Sequence, residues 1–166
     1  MPFAAKGEFA LVTQTLEAAL EKPGQPVRRG TMAHDHHLYM LLADAAAERR
    51  DAAALDRYVP RLRELAERDE HQLYLGVARR AAGVARRLAG DLDEAQGCFE
   101  QAADIFAKLE TTWQLGRTHM AMAEMEQARA NASAAQVHLS QALAAFEALG
   151  AAPDAARARE ALKALA

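Results

Sequence analysis

The chain matches itself when it is displaced by 40 residues. Leu75-Gly76 falls on Leu115-Gly116, Ala81 on Ala121, Ala95-Gln96 on Ala135-Gln136, Gln101-Ala102 on Gln141-Ala142, Phe106 on Phe146 and Leu109 on Leu149. Self-similarity at a fixed spacing marks stacked structural units, and it constrains the fold more than any local propensity does. Displaced the other way, the match weakens but keeps its apolar positions, with Asp51 on Asp91, Leu55 on Ala95, Val59 on Phe99 and Leu62 on Ala102. A partial fourth copy opens the chain, where Val12, Leu16 and Ala19 stand in the places of Ala95, Phe99 and Ala102.

Each copy reads as a helix. Ala95, Phe99, Ala102 and Phe106 follow at spacings of four, three and four, which puts them on one apolar stripe. Asp91 or Asn131 stands at the start, where a side-chain oxygen can accept from free amides, and Glu94 with Asp91 predicts a capping box. Another helical stretch precedes each start, so the unit is a helical hairpin. The composition agrees, since Ala and Leu dominate the apolar share and aromatics reach only 5%. The expected helices lie near 7–21, 33–49, 51–68, 70–89, 92–109, 112–129, 132–149 and 154–165. The segment Glu21–Thr31 carries two Pro and two Gly and reads as a loop, and Pro60 predicts a kink inside the second helix of its hairpin. The expected fold is therefore all-α, an α-solenoid of antiparallel hairpins forming one domain over 1–166. It comprises a half repeat at 7–21, hairpins at 33–68, 70–109 and 112–149, and a C-terminal capping helix at 154–166.

"GDLDEA" (Gly90 to Ala95), followed by Phe99 and Ala102, resembles the turn and second-helix signature of tetratricopeptide repeats. Ala82-Gly83 sits where that family has a Leu-Gly pair in its first helix, with Ala43 and Ala123 as counterparts. The period of 40 is longer than the family's common 34; it is similar to the long-repeat variety of kinesin light chains and bacterial multi-repeat regulators. Most of the family's bulky first-helix aromatics are absent, with Arg79 and His119 at one such place and Arg86 and Glu126 at another. The paired Lys and Asn of its carboxylate clamp are also missing.

The resemblance implies a superhelix whose first helices line a concave groove for a partner peptide or helix. It places His37, Met40, Asp44 and Glu48 in that groove from the first hairpin, Val77, Arg80, Val84 and Arg87 from the second, and Arg117, Met120, Glu124 and Gln127 from the third. Arginines there can hold carboxylates with paired donors, and methionines supply adaptable apolar contact. The expected function is thus a non-catalytic protein-protein interaction module, an adaptor or regulatory scaffold without a cofactor.

Alternatives follow from the ends of the array and from one histidine cluster. The stripe of Phe9, Val12, Leu16 and Ala19 has no preceding helix to cover it, and together with the last helix it predicts a possible homodimer through terminal helices. The chain also fits a fragment of a larger regulator. In "HDHH", His34 and His37 lie one helical turn apart and are the residues that would ligate a metal, though no matching Cys or acidic pair accompanies them. No nucleophile, base and orienter occur together, so no enzyme is expected. A net charge of −3 argues against nucleic acid. No apolar run approaches the roughly 18 residues of a membrane span, and the lone Cys98 points to a reducing, cytoplasmic setting.

Overall fold

The turns decide how this chain divides. The computed structural model describes residues 9–20 and 33–165, and among the described residues eight helices follow one another without a strand. They are α1 (Phe9–Leu20), α2 (Ala33–Glu48), α3 (Ala52–Arg68), α4 (Gln72–Ala89), α5 (Leu92–Lys108), α6 (Thr112–Ala128), α7 (Ala132–Ala148) and α8 (Ala152–Ala164). The expected loop at Glu21–Thr31 lies outside the described residues. At Arg50, Glu70, Gly90, Glu110, Ala130 and Gly150 the backbone turns left-handed, with φ between 51° and 88°. The N–H of the next residue then donates to a carbonyl five residues back: Asp51 to Ala46, His71 to Ala66, Asp91 to Arg86, Thr111 to Phe106, Asn131 to Glu126 and Ala151 to Phe146, all at 2.8–3.0 Å. This is the Schellman closure of a helix end. It recurs at half the 40-residue period, and only two of the six left-handed positions hold Gly.

The residue that closes one helix stands at the N-cap of the next, and at two of the six turns its side chain caps it. The Asp51 carboxylate accepts from the Ala54 N–H at 3.0 Å, and the Asn131 side chain from the Ala134 N–H at 3.3 Å. Asp91 departs from the expected capping box. Its side chain makes no cap hydrogen bond, and both it and Glu94 pair with Arg86 on the preceding helix, at 3.6 and 3.1 Å. Pro60 lies within the continuous helix α3; it and Asp56, whose carbonyl loses its helical donor, are both exposed, so water can serve that carbonyl.

Each helix packs on the next, most extensively within the hairpins α4–α5 and α6–α7, while the first helices α2, α4 and α6 also touch in succession. The second-helix stripes Ala95, Phe99, Ala102, Phe106 and Ala135, Leu139, Ala142, Phe146 are each at most 1% exposed. Glycines on the first helices receive the rings. A Cβ on Gly76 would stand 2.7 Å from the Phe106 ring, and one on Gly116 would stand 2.8 Å from the Phe146 ring. These two contacts are the same contact, 40 residues apart. Gly83 meets Phe99 in the same way, its Cβ reaching 2.6 Å, and the corresponding pair in the next hairpin is Ala123 with Leu139. As the second helix loses volume, the first gains it. In α2–α3 the sizes are exchanged outright, since the place of Gly76 is taken by buried His36 and that of Phe106 by Ala66. His36 Nε2 lies 3.0 Å from both the Leu65 carbonyl oxygen and Asp69 Oδ2, and its ring stacks on Tyr74.

The N-terminal stripe is covered at Phe9 and Leu16, where the sequence suggested an uncovered face. Leu16 is 4% exposed and belongs to the main core, Phe9 packs against it, and Glu17 accepts hydrogen bonds from Tyr58 and Arg57 of α3. Among the described residues, no helix is long and apolar enough to cross a membrane.

Two outcomes follow from this packing. Gly83→Ala should lower stability by about 1–2 kcal/mol, overpacking against Phe99 exceeding the gain in helix propensity. Adding Phe99→Leu, which reproduces the Ala123–Leu139 pair, should recover most of that loss in a denaturant titration. The second outcome concerns His119 and His138, whose rings stack at 5.5 Å between α6 and α7 with Nδ1 atoms 3.4 Å apart. Burial, and secondarily His138, pushes His119 down to about 4. A depressed histidine binds fewer protons folded than unfolded, so stability is full above pH 6.5 and falls as pH drops toward 4. Given partial solvent screening, the loss should be about 1–2 kcal/mol. His119→Gln should flatten that part of the pH–stability curve.

Candidate functional site

First helices repeat every 40 residues, so side chains at one phase of α2, α4, α6 and α8 converge on one side of the stack. There Glu48 of α2 accepts from Arg157 of α8 at 3.0 Å, although 109 residues separate them. That contact shows how tightly the concave side curls. The curl encloses a cleft of about 390 Å³ lined by Arg49, Arg50, Arg80, Arg87, Arg117 and Arg157, by Glu48 and Glu124, and by the apolar Ala47, Val84, Met120 and Ala121.

Asp44, its side chain 15% exposed, lies beside the cleft lining and joins two of the arginines on it. Its Oδ1 lies 3.0 Å from Arg80 Nη2 and its Oδ2 lies 2.7 Å from Arg117 Nη1. Arg117 gives its other terminal nitrogen to Glu48 at 3.0 Å, and Arg80 also donates to the Gln114 side chain at 2.6 Å and to its backbone carbonyl at 3.2 Å. The planar guanidinium fork suits such bridging of two carboxylates. Burial pulls the Asp44 carboxyl upward, but Arg117 and Arg80 outweigh it and hold the group below its ordinary value. Glu48 is lowered for the same reasons, by Arg117 and Arg157 against burial. Burial and the charge of Arg117 bring Arg80 down to about 10, whereas for Arg117 the pull of Asp44 and Glu48 exceeds the cost of burial and raises it. Both arginines remain charged near neutrality.

A second cluster adjoins. Glu124 forms ion pairs with Arg87 at 2.8 Å and with Arg50 at 3.4 Å. Among the described residues the buried Arg87 Nε has no hydrogen-bond partner, and burial lowers the basicity of this arginine. At the other end the Arg117 guanidinium lies 4.9 Å over the Trp113 ring, and the Trp113 indole donates to Asp154 at 3.0 Å.

Of the residues expected in the groove, Asp44, Glu48, Arg80, Val84, Arg87, Arg117, Met120 and Glu124 gather at this cleft. Met40 is half-buried against the core, while His37 and Gln127 are exposed. Val77 is corrected: it is 0% exposed and belongs to the core. Its place is that of Arg117 and Arg157 in the repeat, where a long side chain can reach the cleft from the helix contact and a valine cannot. Among the described residues no group of three or more His, Cys, Asp or Glu could hold a metal; His37 is exposed and the His34 side chain lies outside them. Cys98 is half-buried, and burial pushes its thiol up, away from the reactive thiolate.

The sequence reading missed Arg157, Arg50 and Trp113. Arg157 carried a signal, since it follows Arg117 by one full period. Arg50 carried none, because it occupies a turn.

Fold and cleft together define the class: an all-α solenoid of repeated helical hairpins with an arginine-rich concave side. No protein-family model and no curated protein matches the chain. Among solved structures it is similar to the crystal structure of BtubC (BKLC) from P. vanneervenii, at 17% identity with a TM-score of 0.55, over 98% of this chain and 72% of that one. At that identity the likeness is one of fold.

The network separates buried from exposed pairs. Asp44→Asn leaves Arg80 and Arg117 underpaired and should cost about 3–5 kcal/mol. Arg157→Ala, which breaks a pair whose arginine side chain is 57% exposed, should cost under about 1 kcal/mol. Equal losses in urea denaturation would contradict the buried centre.

Proposed function

We propose that this chain is a tetratricopeptide-like interaction module that takes a segment of a partner protein along its concave side, as an adaptor or regulatory scaffold. The observation that carries the reading is the cleft itself, open along successive first helices and lined by guanidiniums and by Val84 and Met120. Such a surface offers directional charge-assisted donors beside adaptable apolar contact, which suits an extended segment. The buried arginines act mainly on their own carboxylates, so the partner meets the outer pair, Arg50 and Arg157, together with Met120 and Ala121. Self-association is the second reading, favoured by Leu11 of α1, which is 42% exposed.

A photo-crosslinking residue tests both. Placed at Ala121 in the cleft and used in host extract, it should join a distinct partner polypeptide, while the same residue at exposed Gln101 of α5 should not. Adducts from Gln101 alone would reject the groove. Adducts joining two copies of this chain from Leu11 would support self-association in its place.

A further inference from the structure

Positions of α4 that an open groove would expose are covered instead. Val77, Arg80 and Val84 are buried, and the Arg87 side chain is 11% exposed. Ion pairs from the helices on either side close over them. The main backbone neighbours of α2 are α1, α3 and α4, yet Asp44 and Glu48 of α2 reach past α4 to Arg117 of α6 at 2.7 and 3.0 Å, and Glu48 reaches Arg157 of α8 at 3.0 Å. In return, Glu124 of α6 pairs with Arg50, in the turn after α2, and with Arg87 of α4. Each of these pairs joins the first five helices to the last three.

The apolar packing divides at the same place. The main core gathers α1 to α5, and its buried members on α6 are Met122 and Met125, whereas Ala142, Phe146, Ala155 and Ala158 form a second cluster with Met120 against it. α5 packs on α6 less extensively than the arms of either adjoining hairpin pack on each other, and α4 meets α6 less than it meets α2. Methionine is unbranched and adaptable, so a contact built on it tolerates a change of angle. Charge pairs thus hold one side of a boundary whose apolar side is light and deformable.

We propose that the cleft is the closed state of the groove, clasped across α4 by these ion pairs, and that α6–α8 pivot away from α1–α5 to admit a segment. The clasp then regulates the docking proposed above, on which its role depends. At about 390 Å³ the closed cleft lies near the lower end of the ~300–1,000 Å³ that takes one small molecule, and a run of backbone needs more room. Ion pairs suit a closure that must part. A partner's own charged groups can take over each half as it is released, whereas parted apolar faces would meet water. A segment that docks only on the open state binds with an apparent affinity reduced by the fraction of chains that are open.

Pulsed electron paramagnetic resonance on the full chain tests the pivot. Spin labels are attached through Ala53→Cys on α3 and Ala156→Cys on α8, both exposed positions, after Cys98→Ser removes the native thiol. Glu48→Gln and Glu124→Gln should each add a population in which the labels lie farther apart by at least about 5 Å, the spacing an extended strand takes beside its neighbour. The double variant should make that population dominant. Asp93→Asn is the control, because its pair with Arg129 joins α5 to α6 outside the cleft, and it should leave the distances unchanged. Circular dichroism checks that each variant is folded, and either single variant alone suffices. Unchanged distances in the folded Glu48 and Glu124 variants overturn the clasp, as does equal lengthening in Asp93→Asn. Where the distance lengthens, crosslinking from Ala121 to the partner should rise about threefold or more, and an unchanged yield overturns the clasp as a regulator. The label distances need no partner protein, so failure of the pivot is distinct from failure of the groove.

Discussion

Two phenylalanine rings lying on bare glycine backbone set the geometry of the whole stack. Phe106 against Gly76 and Phe146 against Gly116 allow the two arms of a hairpin to approach more closely than any Cβ would permit. Dispersion between ring and backbone is then gained at short range on both sides of the contact. The repetition of that contact at one spacing makes successive hairpins superimpose, and superimposed hairpins bring the first helices to the same side. Size exchange sustains the spacing where the residues differ, with Ala123 opposite Leu139 and His36 opposite Ala66. The interior fixes the summed volume across each contact and leaves open which helix supplies it.

Curvature turns this local contact into a site. Because α2, α4, α6 and α8 share one concave side, Glu48 and Arg157 meet from opposite ends of the chain, and Asp44 lies beneath two guanidiniums. Burying such charges carries a desolvation cost that their mutual attraction offsets only when each is well paired. The centre satisfies that condition. The Glu124 end satisfies it less fully, with more arginine than carboxylate and a donor unspent.

The hairpins, their period and their apolar stripes were legible in the sequence because periodic burial writes itself into residue type. The turns were not. Arg50, Glu70, Glu110 and Ala130 take a backbone conformation that residue type does not announce, and the 20-residue spacing shows only when φ is seen. Asp91 looked like half of a capping box because the motif is local, whereas Arg86, which captures it, belongs to the previous helix. Groove residues were legible as a phase and not as a depth. Val77 shares the phase of Arg117 and Arg157 yet lacks the length to reach the cleft. The ion pairs joining Asp44, Glu48, Arg117 and Arg157 depend on superhelical curl, and no spacing rule over a single hairpin contains that quantity.

The central claim is that one ring-to-glycine contact recurs in fixed register through the array, and nuclear magnetic resonance reads it directly. In a spectrum of the whole chain, the Hα pair of Gly76 should show nuclear Overhauser contacts to the Phe106 ring, and the Hα pair of Gly116 the same pattern to the Phe146 ring. If either glycine instead contacts a ring from another hairpin, or none at all, the repeated packing described here is wrong.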